Sequence, residues 1–240
     1  AVPHDQRHSL ELLMSMFPMS SERAVFWSRI INVVALLGLL GVLAGSLHLQ
    51  LGIGEQPCPL CLVQRSGMIG LAVGPTMNLL WGIRARHYAI SILAAFAGGA
   101  GSVRQILLHI QPDDPGYGPE FWGLHLYTWA LVTFALGAAG CALLLMWQTP
   151  LDAGDTGVMG QRGWLRALSF FVIAWLAIDL LIIGFTVIPE CGLGMCPDDP
   201  PNITGLGDIG GWIGILVVAV ISAVIAWLLN RRLPERSVRY

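Results

Sequence analysis

Long apolar stretches alternate with short polar segments along the chain. Six stretches stand out, at roughly residues 26–51, 62–83, 88–110, 121–147, 165–188 and 210–230. A helix needs about 20 apolar residues to cross a hydrocarbon core of about 30 Å, and each stretch reaches that length. The segments between them carry turn residues or charges, as in "RARH" and "QPDDPGYGP". The pattern predicts an all-α integral membrane protein with six spans, surrounded by membrane lipid.

Composition supports this fold class. Of the 240 residues, 55% are apolar and 12% are charged, and the mean hydropathy is +0.68, which is unusual for a soluble domain of this size. The 13 basic residues are all arginine. They are scattered singly or in pairs, which excludes a nucleic-acid-binding stripe. The first 22 residues lack the apolar core of a secretory signal, so we expect the first stretch to be a retained helix.

The arginines also predict the orientation, because basic residues collect on the cytoplasmic side of a membrane. With six spans, eleven arginines fall on one side: Arg7, Arg23, Arg29, Arg84, Arg86, Arg162, Arg166, Arg231, Arg232, Arg236 and Arg239. The three loops on the opposite side are acidic. We therefore expect both termini to be cytoplasmic and three loops to face outward.

Four of the five cysteines fall in these outer loops. Cys58 and Cys61 lie in "EQPCPLCLVQR" in the first loop, and Cys191 and Cys196 lie in "PECGLGMCPDDPP" in the third. Disulfides persist outside the cytoplasm, so both pairs are expected to be redox-capable. Cys141, alone in the fourth stretch, is expected to fill space as a small apolar residue.

The Cys-x-x-Cys pair has features of a reactive disulfide. Such small rings are readily reduced. Pro57 and Pro59 suit a helix entry, which places Cys61 near the first turn, where the helix dipole favours a thiolate. Arg65 follows one turn later on the same face and adds a positive charge. The alternative is a static staple, although so short a bridge stabilises little chain.

The second pair is expected to form a disulfide, because glycines between Cys191 and Cys196 let the backbone close a ring. Two roles stay open for it: electron exchange with the first pair, or a structural staple of the loop. A four-cysteine zinc site is a further formal alternative, but loops four spans apart in an oxidising compartment argue against it. We therefore predict no metal site.

Three segments resemble the disulfide bond formation protein B (DsbB) family: "CPLCLVQR", "GGAGSVRQILLHI" and "FWGLHLYTWALVTF". The resemblance covers residues 26–147 and implies a four-helix bundle in a bacterial inner membrane. It also implies an enzyme that reoxidises a periplasmic thioredoxin-fold dithiol oxidase (DsbA-like) and passes electrons to quinone, either ubiquinone or menaquinone. By position, Cys61 would contact the quinone, Arg65 would polarise it and Cys58 would complete the disulfide.

The chain departs from that family in one respect. Members of the family usually carry a second cysteine pair between spans three and four, where this chain has none. Two additional spans follow instead, and their loop holds Cys191 and Cys196. We therefore expect five parts: a cytoplasmic segment 1–25, a DsbB-like core 26–147, a cytoplasmic linker 148–164, a two-span extension 165–230 and a cytoplasmic tail 231–240.

Ionisable residues inside the spans are further candidates, since such groups are costly in a membrane. Arg104 and His109, near the outer end of span three, are candidate quinone-binding residues. Alternatively, Arg104 reaches the lipid headgroups and His109 is an interfacial residue. His48 and His125 are weaker candidates. Asp179, midway along span five, is expected to be protonated or paired, in a proton path or in a helix-packing hydrogen bond.

The sequence thus predicts a membrane oxidoreductase that converts a partner's dithiol to a disulfide and delivers two electrons to quinone. A second hypothesis is an accessory membrane subunit whose cysteines only staple its loops. A third reverses the flow and carries reducing equivalents outward. Redox cycling with a thioredoxin-fold partner would separate the first hypothesis from the second.

Overall fold

The computed structural model describes residues 20–161, 163–192, 194, 196–198 and 200–233. Within them, the long helices are α1 (Ser21–Leu47), α2 (Pro59–Trp81), α3 (Ala85–Leu108), α4 (Leu126–Met146), α6 (Trp164–Cys191) and α7 (Asp208–Arg232). A short helix α5 (Gln148–Asp152), a π-helical turn (His48–Ile53) and a 3-10 turn (Gly157–Met159) complete the helical elements. The predicted segment 1–25 and tail 231–240 lie outside the described residues, except for 20–25 and 231–233.

The six long helices correspond to the six predicted spans, so the all-α membrane fold is confirmed. Among the described residues, five helices are long and apolar enough to cross a membrane: α1 with its π-helical turn, α3, α4, α6 and α7. Helix α2 has the length, but Gln64, Arg65 and Asn78 interrupt its apolar sequence. These three side chains are buried, so α2 carries its polar groups inside the bundle.

The predicted start of span four at residue 121 is wrong, because residues 120–125 form a small hairpin. Strand β1 (Glu120–Phe121) pairs antiparallel with β2 (Leu124–His125). The two residues between the strands, Trp122 and Gly123, have φ of 53° and 73°. Positive φ at both central residues is the requirement of a type I′ hairpin turn. Helix α4 therefore begins at Leu126.

The first four long helices form one bundle. Helix α3 packs against α2 and α4, and α1 packs against α2. Gly98 of α3 allows this packing, because a Cβ there would overlap the ring of Phe134 of α4. Helix α6 packs against α1 and α7, and α7 packs against the π-helical turn. The two additional helices therefore join the bundle on its α1 side.

Buried polar contacts fix the end of the bundle opposite the cysteines. Asn78 of α2 donates its amide to Asn32 of α1 at 3.1 Å, and Asn32 donates to the Tyr88 hydroxyl of α3 at 2.9 Å. Arg29 of α1 pairs with Asp155, which ties the segment after α5 to the bundle. Buried polar groups are stable only when they are paired, so these contacts set the alignment of the first three long helices.

Candidate redox site

The first disulfide lies at the N-terminus of α2. Cys58 and Cys61 are bonded, with Cα atoms 5.0 Å apart. Cys58 is the residue that caps α2, and Pro59 occupies the first helical position, where its missing N–H costs nothing. The backbone N–H of Cys61 donates to Cys58 Sγ at 3.1 Å. A helix N-terminus favours negative charge, so this geometry favours a thiolate at Cys58.

Two buried glutamines extend this arrangement. The side-chain amide of Gln105 on α3 lies 3.4 Å from Cys58 Sγ and 3.8 Å from Cys61 Sγ. Gln64 of α2 donates to Gln105 Oε1 at 2.7 Å and thereby orients the amide nitrogen toward the sulfurs. The donors thus converge on Cys58, which is buried, while Cys61 is partly exposed. The sequence reasoning had singled out Cys61, and the division of roles between the two sulfurs stays a prediction.

Arg65 lies one turn beyond Cys61, and its side chain is directed toward α1 and the π-helical turn. It is only 6% exposed. Its guanidinium donates to Gln50 Oε1 at 2.7 Å and contacts the Ser46 carbonyl oxygen at 3.5 Å. Gln50 in turn donates its side-chain amide to Glu190 Oε1. A buried arginine is therefore linked through one amide to a carboxylate on α6.

The second disulfide follows that carboxylate directly. Cys191 is the last residue of α6 and is bonded to Cys196, with Cα atoms 4.1 Å apart. Gly192 ends the helix with φ of 59°, a conformation that suits glycine. Burial raises the pKa of Glu190, and the positive charge of Arg65 opposes that rise. Glu190, the residue before the second disulfide, is thus linked through Gln50 to Arg65, which lies one turn beyond the first disulfide.

Backbone hydrogen bonds join the two cysteine loops. Ile203 N donates to Gly54 O at 3.0 Å, Leu206 N donates to Leu51 O at 2.8 Å, and Gly207 N donates to Gly52 O at 2.9 Å. The loop between α6 and α7 is therefore docked on the segment that leads to Cys58. Both disulfides lie at the same end of the bundle, hereafter the cysteine end.

The loop between α3 and α4 is held by its own polar contacts. His109 Nδ1 lies 3.0 Å from Asp114 Oδ1, and Gly116 N donates to the same oxygen at 2.8 Å. The Gly116 N–H, followed by the His109 side chain, lowers the pKa of Asp114. His109 and His125 both stack on the ring of Tyr127. The predicted cofactor ligand His109 is thus engaged in ordering this loop.

This loop also reaches the first disulfide. The Tyr117 hydroxyl donates to the carbonyl oxygen of Gln56 at 2.9 Å, two residues before Cys58. His48, another weaker candidate, lies 3.0 Å from Asp208 Oδ1, away from the sulfurs. Asp179 is buried between α1, α6 and α7, in a small cavity that His48 also lines.

Arg104 is exposed on the outer surface of α3, which would face lipid in a membrane. A cofactor bound to Arg104 would therefore lie on the lipid-facing side of the bundle. It lines an open groove of about 430 Å³ with the apolar residues Ala100, Val103, Leu107 and Leu108. Val63, two residues after Cys61, packs beside this surface at Gly101. The guanidinium of Arg104 can donate to a carbonyl oxygen of a ligand that lies on this shallow apolar surface. Among the described residues, no cluster of His, Cys, Asp and Glu could hold a metal ion.

Sequence reasoning missed four residues of this end: Gln50, Gln64, Gln105 and Glu190. The candidates predicted inside the apolar stretches are ionisable side chains, whereas three of these four residues are neutral amides. Glutamine within a membrane helix is a usable signal, because an unpaired amide is also costly there. Glu190 lies in one of the acidic outer loops, and its position immediately before Cys191 is a second usable signal.

Comparison with known proteins identifies the family. The family model described as "Disulfide bond formation protein DsbB" matches residues 28–117. A disulfide bond formation protein B from Verminephrobacter eiseniae is 31% identical over 158 residues, which cover 63% of this chain and 84% of the relative. One from Xanthomonas axonopodis pv. citri is 37% identical over 87 residues, covering 33% of this chain and 51% of the relative.

A third relative, from Chromobacterium violaceum, is 31% identical over 119 residues, covering 43% of this chain and 68% of the relative. No solved structure matches the chain. The matched family segment contains Cys58, Cys61 and Arg65, whereas Cys191 and Cys196 lie beyond it. The match and its coverage show that the chain is a multi-pass membrane protein of the disulfide bond formation protein B family.

Proposed function

We propose that the protein is a quinone-dependent thiol:disulfide oxidoreductase of a bacterial inner membrane, which reoxidises a periplasmic thioredoxin-fold dithiol oxidase. One observation carries this proposal. The Cys58–Cys61 disulfide lies at a helix N-terminus, with the Cys61 N–H and the Gln105 amide both directed at Cys58 Sγ. Such donors stabilise the thiolate that forms when the bond is reduced, and a stabilised reduced form makes a disulfide a stronger oxidant.

Electrons enter at the second disulfide. A thiolate of the reduced partner attacks the Cys191–Cys196 bond, forms a mixed disulfide and releases one cysteine as a thiolate. The partner's second thiol loses its proton and displaces the remaining cysteine. The partner leaves oxidised, and Cys191 and Cys196 hold the two electrons as thiolates. Two observations support this pair as the entry point: both cysteines are partly exposed, and the family segment of this chain has no second cysteine pair.

Exchange then carries the two electrons to Cys58 and Cys61. A thiolate of the second pair attacks the first disulfide, and the second thiolate resolves the bond between the loops. The three backbone hydrogen bonds between the loops support this step, because they hold the two segments together without a covalent link. The second disulfide is restored, and the first pair is reduced.

Quinone, when bound, accepts the two electrons and two protons. The residues that would hold it are Cys61, which is partly exposed, and Arg104, whose guanidinium can donate to a carbonyl oxygen in the apolar groove. Arg65 lies behind them as a buried positive charge one turn from Cys61. Gln105 and the Cys61 N–H would stabilise the Cys58 sulfur as an anion while Cys61 donates electrons to the quinone.

The orientation and the five-part division are parts of the same proposal. The arginine distribution supports cytoplasmic termini and periplasmic cysteine loops. Residues 26–147 form the core that reacts with quinone, and residues 165–230 supply the loop that reacts with the partner. The linker 148–164 joins them on the cytoplasmic side.

Quinol formation tests the proposal. The full chain in lipid nanodiscs is mixed with ubiquinone or menaquinone and a reduced thioredoxin-fold dithiol protein, and quinone absorbance is followed. We expect turnover by the unaltered chain and no turnover by Cys58→Ser. Cys141→Ser is the control and should turn over normally, because Cys141 is buried and forms no disulfide. If the unaltered chain reduces neither quinone, or Cys58→Ser reduces it equally fast, the proposal is wrong and the accessory role is favoured.

A further inference from the structure

Glu190 is a carboxylate at the boundary between the two cysteine pairs. Its Oε1 accepts the Gln50 amide. Its Oε2 is enclosed and has no hydrogen-bond partner within the described part of the chain. An enclosed carboxylate oxygen without a donor is unfavourable when it is charged, and uptake of a proton removes that charge. Oε2 is therefore a site ready to accept a proton, one residue before Cys191.

Arg65 is the cation opposite this carboxylate. Gln50 accepts from Arg65 and donates to Glu190, and it is only 1% exposed. Because the amide between them is shielded from water, the attraction between the two charges is weakly screened. Among the described residues nearby, His48 pairs with Asp208 at 3.0 Å, and Asp179 lines the cavity beside His48. The charge of Glu190 thus sets how much positive charge remains free at Arg65.

We propose that Glu190 is a positioning residue that couples the two disulfides through Gln50 and Arg65. This inference rests on the proposed function. When the partner reduces the second disulfide, the partner's second thiol must release a proton, and Glu190 Oε2 accepts it. Neutral Glu190 no longer compensates Arg65, and the freed positive charge stabilises the reduced, anionic form of the first pair. The first disulfide becomes a stronger oxidant when electrons arrive beside it.

The cycle closes when the first pair is reoxidised. Formation of quinol would consume two protons, of which the proton held at Glu190 is one and a proton from water is the other. The carboxylate is then restored beside Arg65. Burial already raises the pKa of Glu190, which brings the carboxyl group closer to accepting a proton at neutral pH.

Substituting Glu190 with glutamine imitates its protonated state. We expect Glu190→Gln to raise the equilibrium constant for reduction of the Cys58–Cys61 disulfide about tenfold, which corresponds to about 30 mV for this two-electron couple. Glu190→Asp keeps the charge and should leave the constant within about threefold of the original. Glu120→Gln is the matched control, because Glu120 is an exposed acidic residue paired with His125, and it should have no effect.

The constant is measured on the full chain in nanodiscs, equilibrated with reduced and oxidised dithiothreitol and no quinone. Differential alkylation and peptide mass spectrometry report each cysteine pair separately. A change in Glu190→Gln that is absent from Glu190→Asp supports the coupling. An unchanged constant in Glu190→Gln, or equal changes in both variants, overturns it.

The pH dependence adds a readout that a structural role would not move. Between pH 5 and 8 the unaltered chain should approach the Glu190→Gln value as the pH falls and Glu190 takes up its proton. A constant ratio between the two proteins across this range contradicts the inference. These measurements need neither quinone nor partner. A chain whose first pair exchanges with dithiothreitol but never reduces quinone fails the proposed function alone.

Discussion

Gly54 is the position where a single methyl group would separate the two cysteine loops. Its φ is 93°, and a Cβ there would overlap the carbonyl oxygen of Ile203 and lie 2.9 Å from the nitrogen of Gly205. Those atoms are backbone and cannot rotate away. Gly54→Ala should therefore displace the loop between α6 and α7 from the segment before Cys58.

The magnitude follows from the bonds that are lost. Three backbone hydrogen bonds join the loops, and each contributes about 1 kcal/mol net. Losing all three weakens the docking of the two loops by about 3 kcal/mol, which lowers the equilibrium constant for docking about a hundredfold. Alanine at positive φ adds about 1–2 kcal/mol of strain. We expect transfer from the second disulfide to the first to slow at least about tenfold.

Two substrates separate docking from general damage. In the proposed mechanism a thioredoxin-fold dithiol protein reacts with the second pair, whereas dithiothreitol is small enough to reduce the partly exposed first pair directly. Quinol formation by Gly54→Ala should slow with the protein substrate and stay unchanged with dithiothreitol. Gly123→Ala is the matched control, because Gly123 has φ of 73° and open space around its Cβ position. Gly123→Ala therefore introduces similar backbone strain without a steric clash.

The reasoning fails if Gly54→Ala and Gly123→Ala slow the protein substrate equally, or if neither does. Gly205→Ala approaches the same contact from the opposite loop. A Cβ there would lie 2.7 Å from the Gly54 nitrogen, so it should reproduce the Gly54→Ala result. Normal turnover in Gly205→Ala would show that the docked arrangement is not needed for transfer.

Three further predictions concern the first disulfide, the loop after α3 and the bundle. Gln105→Leu removes a donor to Cys58 worth about 1 kcal/mol, so the equilibrium constant for reducing the first pair should fall about fivefold in a dithiothreitol titration, with an unchanged constant as the contrary result. The contacts of Asp114 lower its pKa below the ordinary value of 3.8. The stabilisation that these contacts give to the loop is therefore fully present above pH 3.8, and it is lost as the pH falls through the lower pKa of the folded protein. Amide exchange of the loop at His109, corrected for intrinsic rates, should accelerate on acidification in the unaltered chain but not in Asp114→Asn. Gly98→Val overpacks the interface between α3 and α4 and should destabilise the protein by about 1–3 kcal/mol, measured by thermal unfolding in detergent; an unchanged midpoint would contradict the packing.

The helices and the placement of the cysteine pairs could be predicted because both follow from simple constraints. Membrane thickness sets the length of an apolar stretch, and short separators force neighbouring helices to run antiparallel. Two loops that are separated by an even number of spans must share a side. Local geometry was harder, because the hairpin at Trp122 and Gly123 depends on positive φ, which the apolar pattern of span four conceals.

The side-chain contacts of α3 could not be predicted from its apolar pattern, because small and polar residues such as Ser91, Gly98 and Gln105 form its buried face. Large apolar residues such as Phe96 and Leu107 face outward, which reverses the usual arrangement in which the apolar face of a helix points inward. The sequence favoured Arg104, but Gln105, one position and about 100° further round the helix, contacts the sulfurs. The docking of the two loops could not be predicted either, because its hydrogen bonds join backbone groups and so do not depend on which side chains are present.

Trapping a disulfide between the two loops tests the account most directly. Four double variants each keep one cysteine of either pair, with the other member changed to serine, in the full chain expressed in membranes. Non-reducing peptide mapping by mass spectrometry identifies the bonds formed. The account predicts that at least one variant accumulates a bond joining Cys58 or Cys61 to Cys191 or Cys196, and that Gly54→Ala abolishes it. Absence of such a bond in all four variants would contradict the relay.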